Sequence, residues 1–300
     1  MTDRPPLFVM TSLSPALVEE LEQRFTVHRG GGPEDTRAIV AGGASIIDAD
    51  TMAALPKLEI IAINGVGYDG IDLEAARARG IRVTTTPDVL TEDVADQAIA
   101  LMLAVQRRTA VNDRMVRDGG WMVAAGRQAS RRRIGIFGLG RIGRAIARRA
   151  EPFAAELLYT ARHAKPELPW RFVPDVRALA AASDVLILSA PGGEETHHIV
   201  DGEVLAALGP DGVLVNVARG SLVDEAALIA ALEAGDIAGA GLDVFENEPE
   251  VPRALRHMDH VVLAPHQGSA TEAGRAAMGA LVLANLDAHL AGKPLPTPLF

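Results

Sequence analysis

Three short segments in the last third of the chain carry the residue types that chemistry needs. Val217-Ala218-Arg219-Gly220-Ser221 offers a guanidinium, Phe245-Glu246-Asn247-Glu248-Pro249 a carboxylate, and Ala264-Pro265-His266-Gln267-Gly268-Ser269 an imidazole. Each lies just past an apolar stretch that reads as a buried strand, and all lie downstream of a Gly-Leu-Gly-Arg-Ile-Gly loop at Gly138 to Gly143. An Arg grips a carboxylate through two parallel hydrogen bonds. A His passes a proton to a carbonyl oxygen near neutral pH, and a Glu tunes that His. Arg219, Glu248 and His266 behind a phosphate loop are thus suited to moving a hydride.

Gly138, Gly140 and Gly143 follow a strand signal and precede a helix signal over Arg141 to Arg149. Such glycines let the backbone approach a pyrophosphate, which then sits on the free amides of the helix start. The same spacing recurs at Gly65, Gly67 and Gly70, but Asp69 and Asp72 crowd the next helix start there and repel a pyrophosphate. That second loop reads either as a holder for one small carboxylate or as a tight turn. Roughly twenty residues past a dinucleotide loop an acidic residue takes the ribose hydroxyls of NAD. Here the chain has Tyr159-Thr160-Ala161-Arg162-His163, with Lys165 close by. Arg162 can pair with a 2'-phosphate, so NADPH is the expected cofactor with NADH as the alternative; the other reading of Arg162 is a solvated loop residue.

The elements that must position these groups alternate between strand and helix signals, which implies α/β folds with parallel sheets. In the first block Leu7 to Met10, Leu58 to Ile63 and Ile81 to Thr84 read as strands. Ser14-Pro15 starts a helix, and Gly80 ends the helix that begins near Asp72. Ala95, Ile99, Met102 and Leu103 recur at helical spacing over Glu92 to Arg107, predicting the helix that joins two domains. Strands are then expected at Ile134 to Phe137, Leu157 to Tyr159, Val185 to Ser189, Val213 to Val217, Ala240 to Val244 and Val261 to Ala264. A last helix, Glu272 to Leu290, returns the Pro-rich tail to the first block. The expected architecture is two Rossmann-like, doubly wound parallel-sheet domains with a cleft between them. Residues 1–98 with 287–300 form a flavodoxin-like substrate domain, and 99–286 form the dinucleotide-binding domain.

Composition narrows the classes. The chain has 300 residues, enough for two cores, with 48% hydrophobic but only 4% aromatic residues. Its net charge of -10 argues against nucleic acid or an anionic membrane as partner. With no Cys there is no disulfide and no thiolate nucleophile, and a cytoplasmic setting is expected. Met1 to Met10 lacks the basic end and apolar run of a secretory signal. No apolar run approaches the roughly 20 residues of a membrane span. His197-His198 and His257/His260 invite a metal reading, but adjacent residues are expected to point apart, so no metal is expected.

The chain resembles the D-isomer-specific 2-hydroxyacid dehydrogenases, particularly their glyoxylate/hydroxypyruvate reductase branch. The resemblance extends over nearly the whole length. It rests on NGVGYDGID (Asn64 to Asp72), TPDVLTEDVAD (Thr86 to Asp96), the loop at Gly138 to Gly143, NVARGSLVDE (Asn216 to Glu225), GLDVFENEP (Gly241 to Pro249) and APHQGSAT (Ala264 to Thr271). It implies that Arg219 binds the carboxylate and carbonyl of a 2-oxo acid, and that His266 donates a proton to the carbonyl oxygen. Glu248 would hydrogen-bond His266 and keep it protonated. Gly138, Gly140, Arg141, Ile142, Gly143, Arg162, Pro191, Thr196, Val217 and Ala218 would hold the cofactor, with Asp243 on the nicotinamide carboxamide. Val66 and Gly67 would offer amides to the substrate, and Ser269 would line the pocket. Where the family often has Pro-Leu-Thr-Pro-Glu-Thr this chain has Pro191-Gly192-Gly193-Glu194-Glu195-Thr196, which implies looser cofactor contacts, and the arm from Trp121 to Ile134 is short. Trp121 is expected at a homodimer contact; in some relatives a Trp from this arm reaches the partner's pocket.

The expected activity is NADPH-preferring reduction of glyoxylate or hydroxypyruvate. The alternatives are an aryl-pyruvate (4-hydroxyphenylpyruvate) reductase, which shares the Thr-Pro-Asp-Val-Leu-Thr segment, and a nucleotide-sensing, corepressor-like binding protein.

Overall fold

The computed structural model describes residues 4–300; Met1 to Asp3, part of the start read as lacking a secretory signal, lie outside it. The chain forms two compact units. One takes the chain as far as Leu90 and again over Ala270–Phe300, and the other is Thr91–Ser269.

The first unit is built on β1 (Pro6–Val9), β2 (Thr26–Arg29), β3 (Ala38–Gly42), β4 (Ile60–Asn64) and β5 (Arg82–Thr84). All pair in parallel, in the order β2-β1-β3-β4-β5. Side chains of a strand alternate between faces, and here both faces are covered. Ile39, Ala41, Ile61 and Ile63 pack with Met52 and Leu55 on one side. Leu7, Val40, Ile60 and Ala62 pack with Leu21, Val282 and Leu286 on the other. The last two belong to the helix Glu272–Leu290, which lies wholly in this unit. From that helix the tail returns to the sheet, where Pro298 bridges Thr84 and the Leu299 amide donates to the Val83 carbonyl at 2.9 Å.

The second unit holds β6 (Arg132–Phe137), β7 (Ala154–Thr160), β8 (Arg171–Phe172), β9 (Val185–Leu188), β10 (Val213–Asn216), β11 (Gly239–Leu242) and β12 (Val261–Leu263). These also pair in parallel, in the order β12-β11-β10-β9-β6-β7-β8. The chain winds one way from β6 to β8 and the other way from β9 to β12. The reversal leaves a crevice at the carboxyl ends of β6 and β9, the place where open α/β sheets bind ligands. Asp184 fixes the opposite end of this strand pair, accepting from the Arg133 amide at 2.8 Å and from its guanidinium at 2.7 Å.

The helix read as joining the domains, Thr91–Gln106, lies wholly in this second unit, packed against β10, β11 and β12 and against the helix Arg141–Ala150. Gly239 and Gly241 on β11 leave room for its Val105 and Leu101. Its buried stripe is Val94, Ala95, Ala98, Leu101, Met102 and Val105, with Ile99 and Leu103 only half-buried. The domain changes expected at 98/99 and 286/287 therefore fall inside two helices, each of which stays with the sheet its apolar stripe covers. Among the described residues, no helix is long and apolar enough to cross a membrane.

Leu286 is 1% exposed within the first core. Leu286→Ala should cost about 2–5 kcal/mol through lost burial and the cavity left behind. Denaturant unfolding followed by circular dichroism checks this.

Candidate active site

At the crevice, the three glycines after β6 have different neighbours. Gly138 has φ +94°, and a Cβ there would stand 2.5 Å from the Ala190 nitrogen. Ser189 closes the same contact, donating from Oγ to the Gly138 carbonyl at 2.6 Å. A Cβ at 143 would collide with the Gly138 carbonyl oxygen. At Gly140 it would meet no protein atom within 4 Å. Packing thus explains the first and third glycines. The second leaves open the space a pyrophosphate needs to come close to the backbone. Gly140 also starts the helix Arg141–Ala150 without a side-chain cap, the arrangement in which a helix start can receive an anion. At the look-alike loop, the Asp72 carboxylate already accepts from the Ala75 amide at 2.9 Å, and the helix it starts is short, Leu73–Ala78.

β7 ends beside this loop, its Thr160 carbonyl accepting from the Gly138 amide at 2.9 Å. Beyond it Arg162 and His163 are exposed. The buried Tyr159 anchors the segment: its phenol oxygen accepts from the Lys165 amide at 2.6 Å, and its ring lies 5.5 Å from that of Phe172. Thr196 closes the turn after β9, donating to the Pro191 carbonyl at 2.9 Å.

Arg219, Glu248 and His266 come together at the ends of β10, β11 and β12. Asn216 turns the chain at the end of β10, accepting from the Ala218 amide at 3.0 Å and donating to the Arg219 carbonyl at 2.7 Å. A Cβ at Gly220 would collide with the Phe245 carbonyl and the Glu246 nitrogen, so the Arg219 turn lies directly on the turn that carries Glu248. The Glu248 carboxylate accepts from the Phe245 amide at 3.0 Å and meets His266 Nδ1 at 2.7 Å. Burial pushes this carboxyl up, yet the His266 hydrogen bond and charge, the Phe245 amide and the nearby Arg219 charge together bring it below its ordinary value. With Nδ1 on Glu248, the other ring nitrogen of His266, a side chain 40% exposed, is left for a substrate.

His266 has φ +50°, a left-handed conformation that costs a non-glycine residue roughly 1–2 kcal/mol. Asp243, 1% exposed, holds it there. Its carbonyl accepts from the His266 amide at 2.8 Å, and its carboxylate accepts from the Gln267 and Gly268 amides at 2.9 and 2.8 Å. Gln97 Nε2 lies 3.4 Å from the same carboxylate.

Of the other expected site residues, Val217 and Ala218 are each 8% exposed, leaving mainly backbone to offer. Ser269 is half-buried at the end of the second unit, and Val66 and Gly67 are half-buried just after β4 in the first. The supporting roles of Asn216 and Gln97 are not among those expected from the sequence; an Asn at a strand end two residues before a turn is a signal for the former. The histidine expectation needs correction. His197 and His198 do not point apart: their rings stack with centroids 3.9 Å apart, because His198 has φ +49° and leaves the alternation of extended chain.

Residues 99–268 match the family model of the D-isomer specific 2-hydroxyacid dehydrogenase, NAD binding domain. The chain belongs to this family. The dehydrogenase is 46% identical to a 2-ketogluconate reductase of Gluconobacter oxydans, covering 100% of both chains. It is also 46% identical to a glyoxylate/hydroxypyruvate reductase of Arabidopsis thaliana, over 98% of each. Among solved structures, an NADPH-dependent glyoxylate/hydroxypyruvate reductase of Sinorhizobium meliloti, in complex with NADP and malonate, superposes with a TM-score of 0.90 at 43% identity, over 99% of this chain and 97% of that one.

Two outcomes follow from the geometry. Gly220→Ala should displace the Arg219 turn and lower turnover on the order of 100-fold, with helix content unchanged by circular dichroism. Because Glu248 is held below its ordinary value of 4.5, its stabilising effect is present above that pH and is lost as the pH falls through the folded value. His266→Ala should flatten this acid-side loss in melts recorded between about pH 3 and 6; an unchanged slope would show that the pair does not act.

Proposed function

We propose that this dehydrogenase reduces a small 2-oxo acid, glyoxylate or hydroxypyruvate first, to the 2-hydroxy acid, with NADPH as the preferred donor. The observation that carries the reading is the Glu248–His266 pair at 2.7 Å beside the Arg219 charge. In this reading Arg219 grips the substrate carboxylate in a bidentate pair. His266 hands the proton on its Nε2 to the carbonyl oxygen as the alcohol forms. Glu248 holds Nδ1, which orients the ring and balances its charge. The bound nicotinamide cofactor supplies the hydride. Val66, Gly67 and Ser269 are assigned substrate contacts on the family resemblance.

For the cofactor, Gly138, Gly140, Arg141, Ile142 and Gly143 are assigned to the pyrophosphate and Arg162 to the 2'-phosphate. Pro191, Thr196, Val217, Ala218 and Asp243 are assigned to the remainder. Three facts support NADPH: no carboxylate stands in the Tyr159 to His163 stretch, Arg162 is exposed there, and the Sinorhizobium relative is NADPH-dependent. The Gluconobacter relative favours a second reading, a longer sugar-derived 2-oxo acid.

A homodimer fits the exposed apolar surface. The helix Thr109–Arg117 has no buried residue, and Trp121, Met122 and Val123 after it are 87%, 81% and 83% exposed. Apolar surface of this kind marks an interaction site. A reducing cytoplasmic setting fits a chain without cysteine.

The test is NADPH and NADH consumption with glyoxylate, hydroxypyruvate, 2-ketogluconate and 4-hydroxyphenylpyruvate. Glyoxylate or hydroxypyruvate should show the highest kcat/KM, and tight NADPH binding with turnover of none of the four would point to a sensor. His266→Ala should lower kcat by about 100- to 10,000-fold with cofactor affinity nearly unchanged. Arg162→Ala should raise the KM for NADPH much more than that for NADH, and equal changes would make it a bystander. Trp121→Glu should halve the mass measured by sedimentation.

A further inference from the structure

We propose that His197, His198 and Glu246 form a binding site for one divalent transition-metal ion of the zinc, cobalt or nickel class. A ligand atom from each of the three lies within 4.8 Å of the others. Imidazole nitrogen and carboxylate oxygen are ligands these ions take, at about 2.0–2.2 Å, so two ligand atoms on one ion stand at most about 4.4 Å apart. In a tetrahedral set ligand atoms stand about 3.4 Å apart, so closing the site takes a movement on the order of 1 Å, which rotation of the exposed His197 side chain can supply.

The other two ligands are already side by side and need only part slightly to admit an ion. His198 Nε2 stands 2.7 Å from Glu246 Oε1. The His198 amide donates to the Ser221 carbonyl at 2.8 Å, and the Val200 amide donates to the Leu222 carbonyl at 2.9 Å. The Glu246 amide meets the Glu225 carboxylate at 3.4 Å. Backbone bonds therefore tie the His198 segment to the turn that follows Arg219, and Gly220 seats that turn against Glu246. The left-handed His198 is what brings two consecutive imidazoles to one side. A site prepared in this way asks little ordering of the protein when an ion arrives.

Binding replaces the hydrogen bond between His198 and Glu246 by two bonds to the metal, the proton on Nε2 passing to Nδ1 or to solvent. Three protein ligands leave a coordination position to water. The ion would sit apart from the His266–Glu248 pair. It would still clamp the turn after Arg219 to the one carrying Glu248, whatever the substrate is.

The test uses the full chain without a histidine tag. Co2+ titration should give visible bands saturating at one ion per chain, and Zn2+ should raise Tm in proportion to the logarithm of its concentration above Kd. His197→Ala, which leaves the His198–Glu246 pair intact, should weaken Co2+ binding at least tenfold and abolish the Zn2+ shift in Tm. His198→Ala should do the same. Lack of saturable Co2+ binding at 100-fold excess over protein, or equal binding by both variants and the parent, would overturn the assignment.

Discussion

The buried Asp243 governs the geometry of the segment that carries His266. Its main chain and side chain both turn toward the segment after β12, so one residue engages three consecutive amides, those of His266, Gln267 and Gly268. A carboxylate with almost no contact to water needs hydrogen-bond donors. This one finds them in backbone that would otherwise need partners of its own. The exchange holds the imidazole-bearing residue in a backbone conformation it would not choose alone. Resemblance assigns Asp243 to the cofactor; the structure adds a scaffolding duty that precedes any ligand.

Around that fixed point the strand ends act as levers of set length. β10, β11 and β12 are neighbours in one parallel sheet, so their carboxyl ends emerge side by side. Arg219, Glu248 and His266, far apart in sequence, therefore share one small region. Asn216 turns the first of these ends and the absence of a side chain at Gly220 lets it settle on the second, while the carboxylate of Glu248 spans to the third. Close approach of backbone does the work that added contacts could not, since any atom at position 220 would push two of the three groups apart.

The sequence shows much of this, and the parts it hides share physical reasons. Val185 to Leu188 and Val213 to Asn216 are legible because strands covered on both faces must be apolar throughout. Edge strands carry no such demand, and β2, Thr-Val-His-Arg, shows no strand signal; the apolar run of β3 merges into glycines, which blurs its end. The helix Glu272–Leu290 was legible in its limits but not in its allegiance, because periodicity shows that a stripe is buried and not against which sheet. Arg219, Glu248 and His266 stood out by type and context. The stacking of His197 on His198 did not, because it depends on one backbone angle with no mark in residue identity.

The segment beyond β7 is held at both ends by atoms that take no part in its surface. Tyr159 grips Lys165, and the Thr160 carbonyl grips the loop at Gly138, while residues 162 to 164 between them lie in the open. Such an arrangement separates architecture from chemistry. Side chains at these three exposed positions can therefore be exchanged with little effect on folding, because none of them carries the packing of the sheet beneath.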